Sequence, residues 1–308
     1  MLKEEITFQN VDVVLNGTLL KPDTADPCPV VIVAHTSNAG TRDFDVYQHL
    51  ARVLTACGIA VFIFDRRGSG HSTGEFEIAT FFDLASDILM AVDCLKLRSD
   101  IDPKYIGLWG MSQGGWIAPL AAIKSTDIAF VIAISASGVS PAEQMSYSAE
   151  FELQENGFSE EIIEQMLKLH HLVNEYYRGN THRFKAQEKL NLYCNERWFS
   201  RTYLDDLLPE IPSVTKWYQE MDFDPIPMIQ KVSVPVLLLY GETDPWVPIK
   251  QSIALWKEFG SKRVTIHEIK DANHFMKSIA QSGIRGDKGH PVDKYTEILI
   301  QWVKQELE

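Results

Sequence analysis

The chain has 308 residues, 45% hydrophobic and 23% charged, with a formal net charge of −13. This composition suits a water-compatible globular fold, either one large domain with an insertion or two domains. Excess acid disfavours nucleic acid and anionic membranes as partners, and no apolar run approaches the roughly 20 residues needed to cross a bilayer.

The first residues, Met1–Glu5, are charged and lack the apolar core of a secretory signal, which points to the cytoplasm. Cys28, Cys57, Cys94 and Cys194 are widely spread with no metal-ligand spacing, and are expected to be free, mostly buried thiols.

Two β-like stretches open the chain, at 5–10 and 11–20, with Asn16-Gly17 expected to place a turn or bulge in the second. An alternation follows. Val30–Ala34 reads as a buried strand, Tyr47–Cys57 as a helix ended by Gly58, and Ile59–Phe64 as a strand. Thr80–Leu97 carries an apolar stripe at helical spacing through Phe81, Leu84, Ile88 and Val92. Tyr105–Trp109 and Phe130–Ile134 read as strands around a helix at Gly115–Ile123. Repeated strand–helix–strand order implies a largely parallel sheet covered on both faces.

The rhythm breaks between 140 and 231, where Glu, Gln, Lys, Leu and Met recur at helical spacing and Ser159 reads as an N-cap. About ninety helical residues between strands are too many for a simple connection and read as a cap. The expected organisation is a core over 1–139, a helical cap over 140–231, and the rest of the core over 232–308. The α/β pattern resumes with strands at Val234–Tyr240 and Val264–Ile269 and helices near Gln251–Phe259 and Val292–Gln305.

Chemistry should lie at the carboxyl ends of parallel strands. Gly110-Met111-Ser112-Gln113-Gly114 follows one strand, Asp244 the next, and His274 the one after. The order Ser, Asp, His on a G-x-S-x-G strand–turn–helix is that of nucleophile-elbow hydrolases. Glu242 and Asp271 are competing acids; Asp271 more simply braces the His274 loop. His35 and His71 read as loop organisers, and adjacent His170 and His171 cannot share a helix face as ligands.

On these residues the chain resembles an α/β-hydrolase of the lidded serine esterase and serine aminopeptidase-like kind. Asp65-Arg66-Arg67-Gly68-Ser69-Gly70-His71-Ser72 is similar to the family's D-x-R-G-x-G-x-S loop. The resemblance implies an α/β-hydrolase fold with Ser112 as nucleophile, His274 as base and Asp244 as orienting acid. It implies an oxyanion hole from the Gln113 N–H and the Ser37 N–H, with the Thr36 N–H as the alternative. His35-Thr36-Ser37-Asn38 is similar to the family's H-G-x-G loop, but Thr36 and Asn38 replace its glycines.

The expected activity is hydrolysis of small to medium acyl or aryl esters through an acyl-serine, with no cofactor and no metal. Thioesterase, amidase or aminopeptidase-like action uses the same triad, and a non-catalytic ligand-binding protein is the alternative of another class. The expected partner is a small-molecule ester, without nucleic acid or membrane insertion; a homodimer is compatible with the sequence. Arg66 and Arg67 are expected in structural ion pairs. The cap aromatics Tyr147, Phe151, Tyr176, Tyr177, Trp198, Phe199 and Trp217 are expected mainly in the cap's core. The glycine-rich 283–289 stretch reads as a surface loop.

Overall fold

The computed structural model describes residues 1–308. Its strands are β1 (Leu2–Asn10), β2 (Val13–Lys21), β3 (Cys28–Ala34), β4 (Ala60–Phe64), β5 (Ile101–Met111), β6 (Ile128–Ile134), β7 (Val236–Gly241) and β8 (Val264–Ile269). They form one eight-stranded sheet in the order β1-β2-β4-β3-β5-β6-β7-β8. β2 runs antiparallel to both β1 and β4, and every other neighbouring pair is parallel.

The central strands are continuously apolar because both faces are covered. The helices are α1 (Asp45–Thr55), α2 (Phe81–Leu95), α3 (Gly114–Ala122), α4 (Pro141–Glu155), α5 (Glu160–Tyr177), α6 (Arg183–Tyr193), α7 (Lys216–Glu220), α8 (Ile226–Lys231), α9 (Ile249–Phe259), α10 (Ile279–Ser282) and α11 (Asp293–Glu306). On β3, Val30, Ile32 and Ala34 join a core with α2, α3, α8 and α9, whereas Val31 and Val33 face a second core with α1 and α11. Local chemistry agrees with these boundaries. Thr80 caps α2 through a reciprocal pair of hydrogen bonds with Asp83, and Gly58, at φ +84°, follows the end of α1. The fold is that of an α/β-hydrolase.

The Asn16-Gly17 expectation is corrected. β2 runs unbroken through both residues, paired with Thr7 and Ile6 of β1. The turn lies earlier, at Val11-Asp12, where Val11 has φ 54°. Gly17 answers to packing instead: a Cβ there would lie 2.5 Å from the Phe62 ring.

Between β6 and β7 there is no strand. The helices α4 to α6 and the segments around them enclose their own core of 15 buried residues, Leu153, Leu169, Val173 and Leu190 among them. Met228 and Ile229 of α8 belong instead to the core under the sheet. No helix is long and apolar enough to cross a membrane.

Candidate active site

The turn after β5 holds Ser112 at φ 54°, a left-handed conformation that costs a non-glycine residue energy and must be enforced by its surroundings. The flanking glycines allow it. A Cβ on Gly110 would lie 2.0 Å from the Gly114 carbonyl oxygen, and one on Gly114 would lie 2.3 Å from that of Ala34. The Gln113 N–H forms no hydrogen bond within the chain.

Asp244 follows β7 and His274 follows β8. Both are buried, at 2% and 3% exposure. His274 Nδ1 lies 2.7 Å from Asp244 Oδ2. A carboxylate only accepts, so the imidazole carries its hydrogen on Nδ1 and presents a free Nε2 lone pair. Asp244 Oδ1 accepts from the Trp246 and Val247 N–H groups at 2.9 and 3.0 Å, which fixes the carboxylate plane. Ser135 Oγ donates to the His274 carbonyl at 2.8 Å, and the Trp246 ring meets the imidazole edge-on at 5.0 Å. Ser112 and His274 line one cleft of about 240 Å³ with Ser37 and Asn38. No hydrogen bond joins Ser112 Oγ to His274 in this state; such contacts often tighten only when substrate binds.

The competing acids lie elsewhere. Glu242 accepts from the Asp271 N–H at 3.0 Å, and Asp271 in turn takes the Ile279 N–H on its carbonyl. Asn273 Nδ2 donates to the carbonyls of Gly283 and Gly286, so the glycine-rich loop is stapled to the base of the His274 turn.

Opposite the serine, the loop after β3 is braced from below. The Thr36 N–H donates to Tyr47 Oη at 2.8 Å, and that hydroxyl donates to the Ala39 carbonyl at 2.9 Å. The Thr36 N–H is therefore engaged, while the Ser37 N–H has no acceptor in the chain. Burial pushes the Tyr47 phenol up to about 12, so it remains a neutral donor. Arg66 Nη1 donates to the carbonyls of Thr36 at 2.8 Å and Ser37 at 3.0 Å.

The two arginines separate. Arg67 pairs bidentately with Asp87 at 2.7 Å through both nitrogens. Arg66 makes no ion pair, contrary to expectation: the acceptors its guanidinium meets are the two loop carbonyls. Its guanidinium lies 3.3 Å from the centroid of the Phe76 ring, over which Lys216 of α7 also sits at 4.0 Å.

His35 bonds the Phe64 carbonyl; burial and the neighbouring Arg66 charge push it down to about 3. His170 bonds the Thr202 carbonyl, and burial pushes it down to about 4. No group of three or more His, Cys, Asp and Glu side chains is arranged to hold a metal. Cys28 is buried and the other three cysteines, all free, are half-buried.

Among the aromatics expected in a cap, Tyr176, Trp198 and Phe199 are buried in the core enclosed by α4 to α6 and the segments around them. Tyr177 and Trp217 line a separate cavity of about 180 Å³ with Val173 and Asp205, and Met145 lines both this cavity and the cleft. Residue spacing did not single out Gln144, Met145, Trp246 or Phe275, which complete the cleft wall. Trp246 and Phe275 sit beside the two triad candidates, which was the available signal.

Residues 25–277 match the family described as serine aminopeptidase, S33. Esterase EstD of Thermotoga maritima is 24% identical over 96% of this chain and 68% of its own. The α/β-hydrolase GrgF from Penicillium sp. sh18 superposes with a TM-score of 0.66 at 17% identity, covering 99% of both chains. Est1E from Butyrivibrio proteoclasticus superposes at 0.61 and 18%, covering 98% of both.

Proposed function

This chain belongs to the serine aminopeptidase S33 family of hydrolases, and we propose that it cleaves neutral carboxylic esters of small to medium size through an acyl intermediate on Ser112. One observation carries the ester reading: the cleft shared by Ser112 and His274 has no carboxylate, lysine or arginine in its wall. Such a site accepts an uncharged acyl or aryl group and offers no partner to an anionic or cationic one. The similarity to esterase EstD supports the same class.

In this reading His274 Nε2 takes the Ser112 hydroxyl proton as Oγ bonds the ester carbonyl carbon. The carbonyl π pair moves to oxygen, where the N–H groups of Gln113 and Ser37 receive the negative charge. Collapse expels the alkoxide, which takes the proton back from His274. Water then repeats the sequence and releases the acid. Asp244 holds the imidazole tautomer and stabilises its cation throughout. The engaged Thr36 N–H favours Ser37 over Thr36 as the second donor.

The second reading is peptidase action on a short N-terminus. It is favoured by the family description and by Asp205 in the adjoining cap cavity, a carboxylate able to receive an ammonium group. A fluorophosphonate should add one covalent label that disappears in Ser112→Ala; persistence of the label refutes the nucleophile. Parallel assays with p-nitrophenyl esters, acyl-CoA and aminoacyl-naphthylamides then separate the readings, and turnover confined to the amides replaces the first by the second.

A further inference from the structure

We propose that Arg66 is a positioning residue for the oxyanion hole: its buried guanidinium sets the peptide planes of the Thr36–Asn38 loop so that the Ser37 N–H faces the cleft. This rests on the acyl-serine reading above.

Arg66 is 7% exposed, yet no carboxylate lies within ion-pair distance. Burial pushes its pKa below the ordinary value, with Glu77 and Glu220 attracting it only from a distance. A buried cation without a counter-ion is expensive, and a well-packed apolar side chain would serve folding as well or better. Its contacts show where that cost goes. Nη1 bridges the carbonyls of Thr36 and Ser37, and the Arg66 backbone N–H donates to the Gly40 carbonyl at 2.8 Å. Three carbonyls of one short loop thus converge on one residue.

A trans peptide is planar, with N–H and C=O pointing in opposite directions, and the chain has no cis bond. When Arg66 draws the Thr36 carbonyl inward, the Ser37 N–H of the same peptide is turned outward. Drawing in the Ser37 carbonyl turns the Asn38 N–H outward likewise. Ser37 and Asn38 line the cleft and Arg66 does not, so the guanidinium and the cleft lie on opposite sides of the loop. A cation on the carbonyl also polarises the peptide and strengthens its N–H as a donor. Thr36 and Asn38 stand where glycines are usual in the resembling loop, so this backbone is held by an external clamp. In the D-x-R-G-x-G-x-S pattern Arg66 occupies the unrestricted position, and the patterned arginine, Arg67, makes the structural ion pair.

The test is Arg66→Met, measured by steady-state p-nitrophenyl ester hydrolysis, by Ki for an aryl trifluoromethyl ketone, and by thermal melting. The ketone forms a hemiketal with serine whose oxygen anion occupies the same hole. A misaimed donor should lower kcat about 10- to 100-fold and raise Ki in proportion, with KM within about 3-fold. Arg67→Met, which breaks the Asp87 pair, should lower the melting temperature while leaving kcat and Ki near wild type. Wild-type kcat and Ki in folded Arg66→Met overturn the proposal. If that variant does not fold, Arg66→Lys carries the test, since one ammonium on a shorter stem bridges both carbonyls poorly: a fall in kcat with a matching rise in Ki supports the proposal, and wild-type values overturn it. Turnover surviving in Ser112→Ala would instead sink the acyl-serine reading itself.

Discussion

Replacing Asp244 by Asn tests the proposed charge arrangement at nearly constant shape. Oδ1 of Asp244 faces two backbone donors, the N–H groups of Trp246 and Val247. An amide NH2 cannot replace it there without orphaning both. Each buried donor left unpaired costs roughly 1–3 kcal/mol, so that flip costs roughly 2–6 kcal/mol. The carbonyl oxygen of Asn therefore stays on the two N–H groups and its NH2 turns toward His274 Nδ1. The imidazole must then accept at Nδ1 and carry its hydrogen on Nε2, the nitrogen that should take the serine proton. Restoring the productive tautomer costs the flip, about 30- to 26,000-fold at 1.36 kcal/mol per decade. Loss of the carboxylate charge beside the developing imidazolium adds to this, and carboxylate-to-amide changes of this kind cost about 10,000-fold elsewhere. The expected fall in kcat for p-nitrophenyl acetate is thus about 1,000- to 10,000-fold, with an unchanged melting profile and correspondingly slow fluorophosphonate labelling. A folded Asp244→Asn enzyme within about 10-fold of wild type would refute the reasoning.

Three further expectations concern stability and selectivity. His35 and His170 are buried and neutral, pushed from 6.5 down to about 3 and about 4. The unfolded chain therefore binds more protons below pH 6.5, and stability, complete above that pH, should fall by about 1.4 kcal/mol per unit for each histidine as pH drops toward 4. Urea unfolding at stepped pH should show a shallower slope in His170→Gln; an unchanged slope contradicts the assignment. Arg67→Met leaves Asp87, 1% exposed, without its bidentate partner and should cost about 3–5 kcal/mol in urea unfolding, much of it recovered in Arg67→Met/Asp87→Leu; a single-mutant loss below about 1 kcal/mol contradicts this. If acyl chains pass Met145 into the cavity lined by Val173 and Asp205, each methylene buried should raise kcat/KM by about 4-fold (about 0.8 kcal/mol). Val173→Trp should flatten that series beyond acetate, and an unaltered series excludes the cavity as an acyl site.

Much of this architecture is legible in the residues because parallel strands buried on both faces write long apolar runs. Val30–Ala34, Phe130–Ile134 and Val264–Ile269 fall within observed strands, and 264–269 coincides with β8. Asn16-Gly17 misled because a glycine in a strand can signal either a bend or a close neighbour, and only the Phe62 ring, 45 positions after Gly17 in sequence, decides between them. Ser112, Asp244 and His274 stood out because each sits on a strand end with a distinctive local pattern. Tyr47 and Arg66 did not. Their contributions are hydrogen bonds to backbone carbonyls and N–H groups, which leave no trace in side-chain spacing. Arg66 was further obscured by its neighbour, since adjacent arginines read alike until one finds a carboxylate and the other a peptide.

Phe76 has a bearing on α7. One ring receives the guanidinium of the residue clamping the serine-facing loop and the ammonium of Lys216, which also donates to the Ala79 carbonyl at 2.7 Å and pairs with Glu220 of its own helix. The clamp on the serine-facing loop and α7 thus rest on a common support. Linkage makes such an arrangement reciprocal: whatever the position of α7 contributes to anion binding beside Ser37, anion binding returns to α7 as protection of the same magnitude. A covalent oxyanion mimic on Ser112 should then slow hydrogen exchange or proteolysis around Lys216–Glu220, so that α7 records the charge state of a reaction it does not touch.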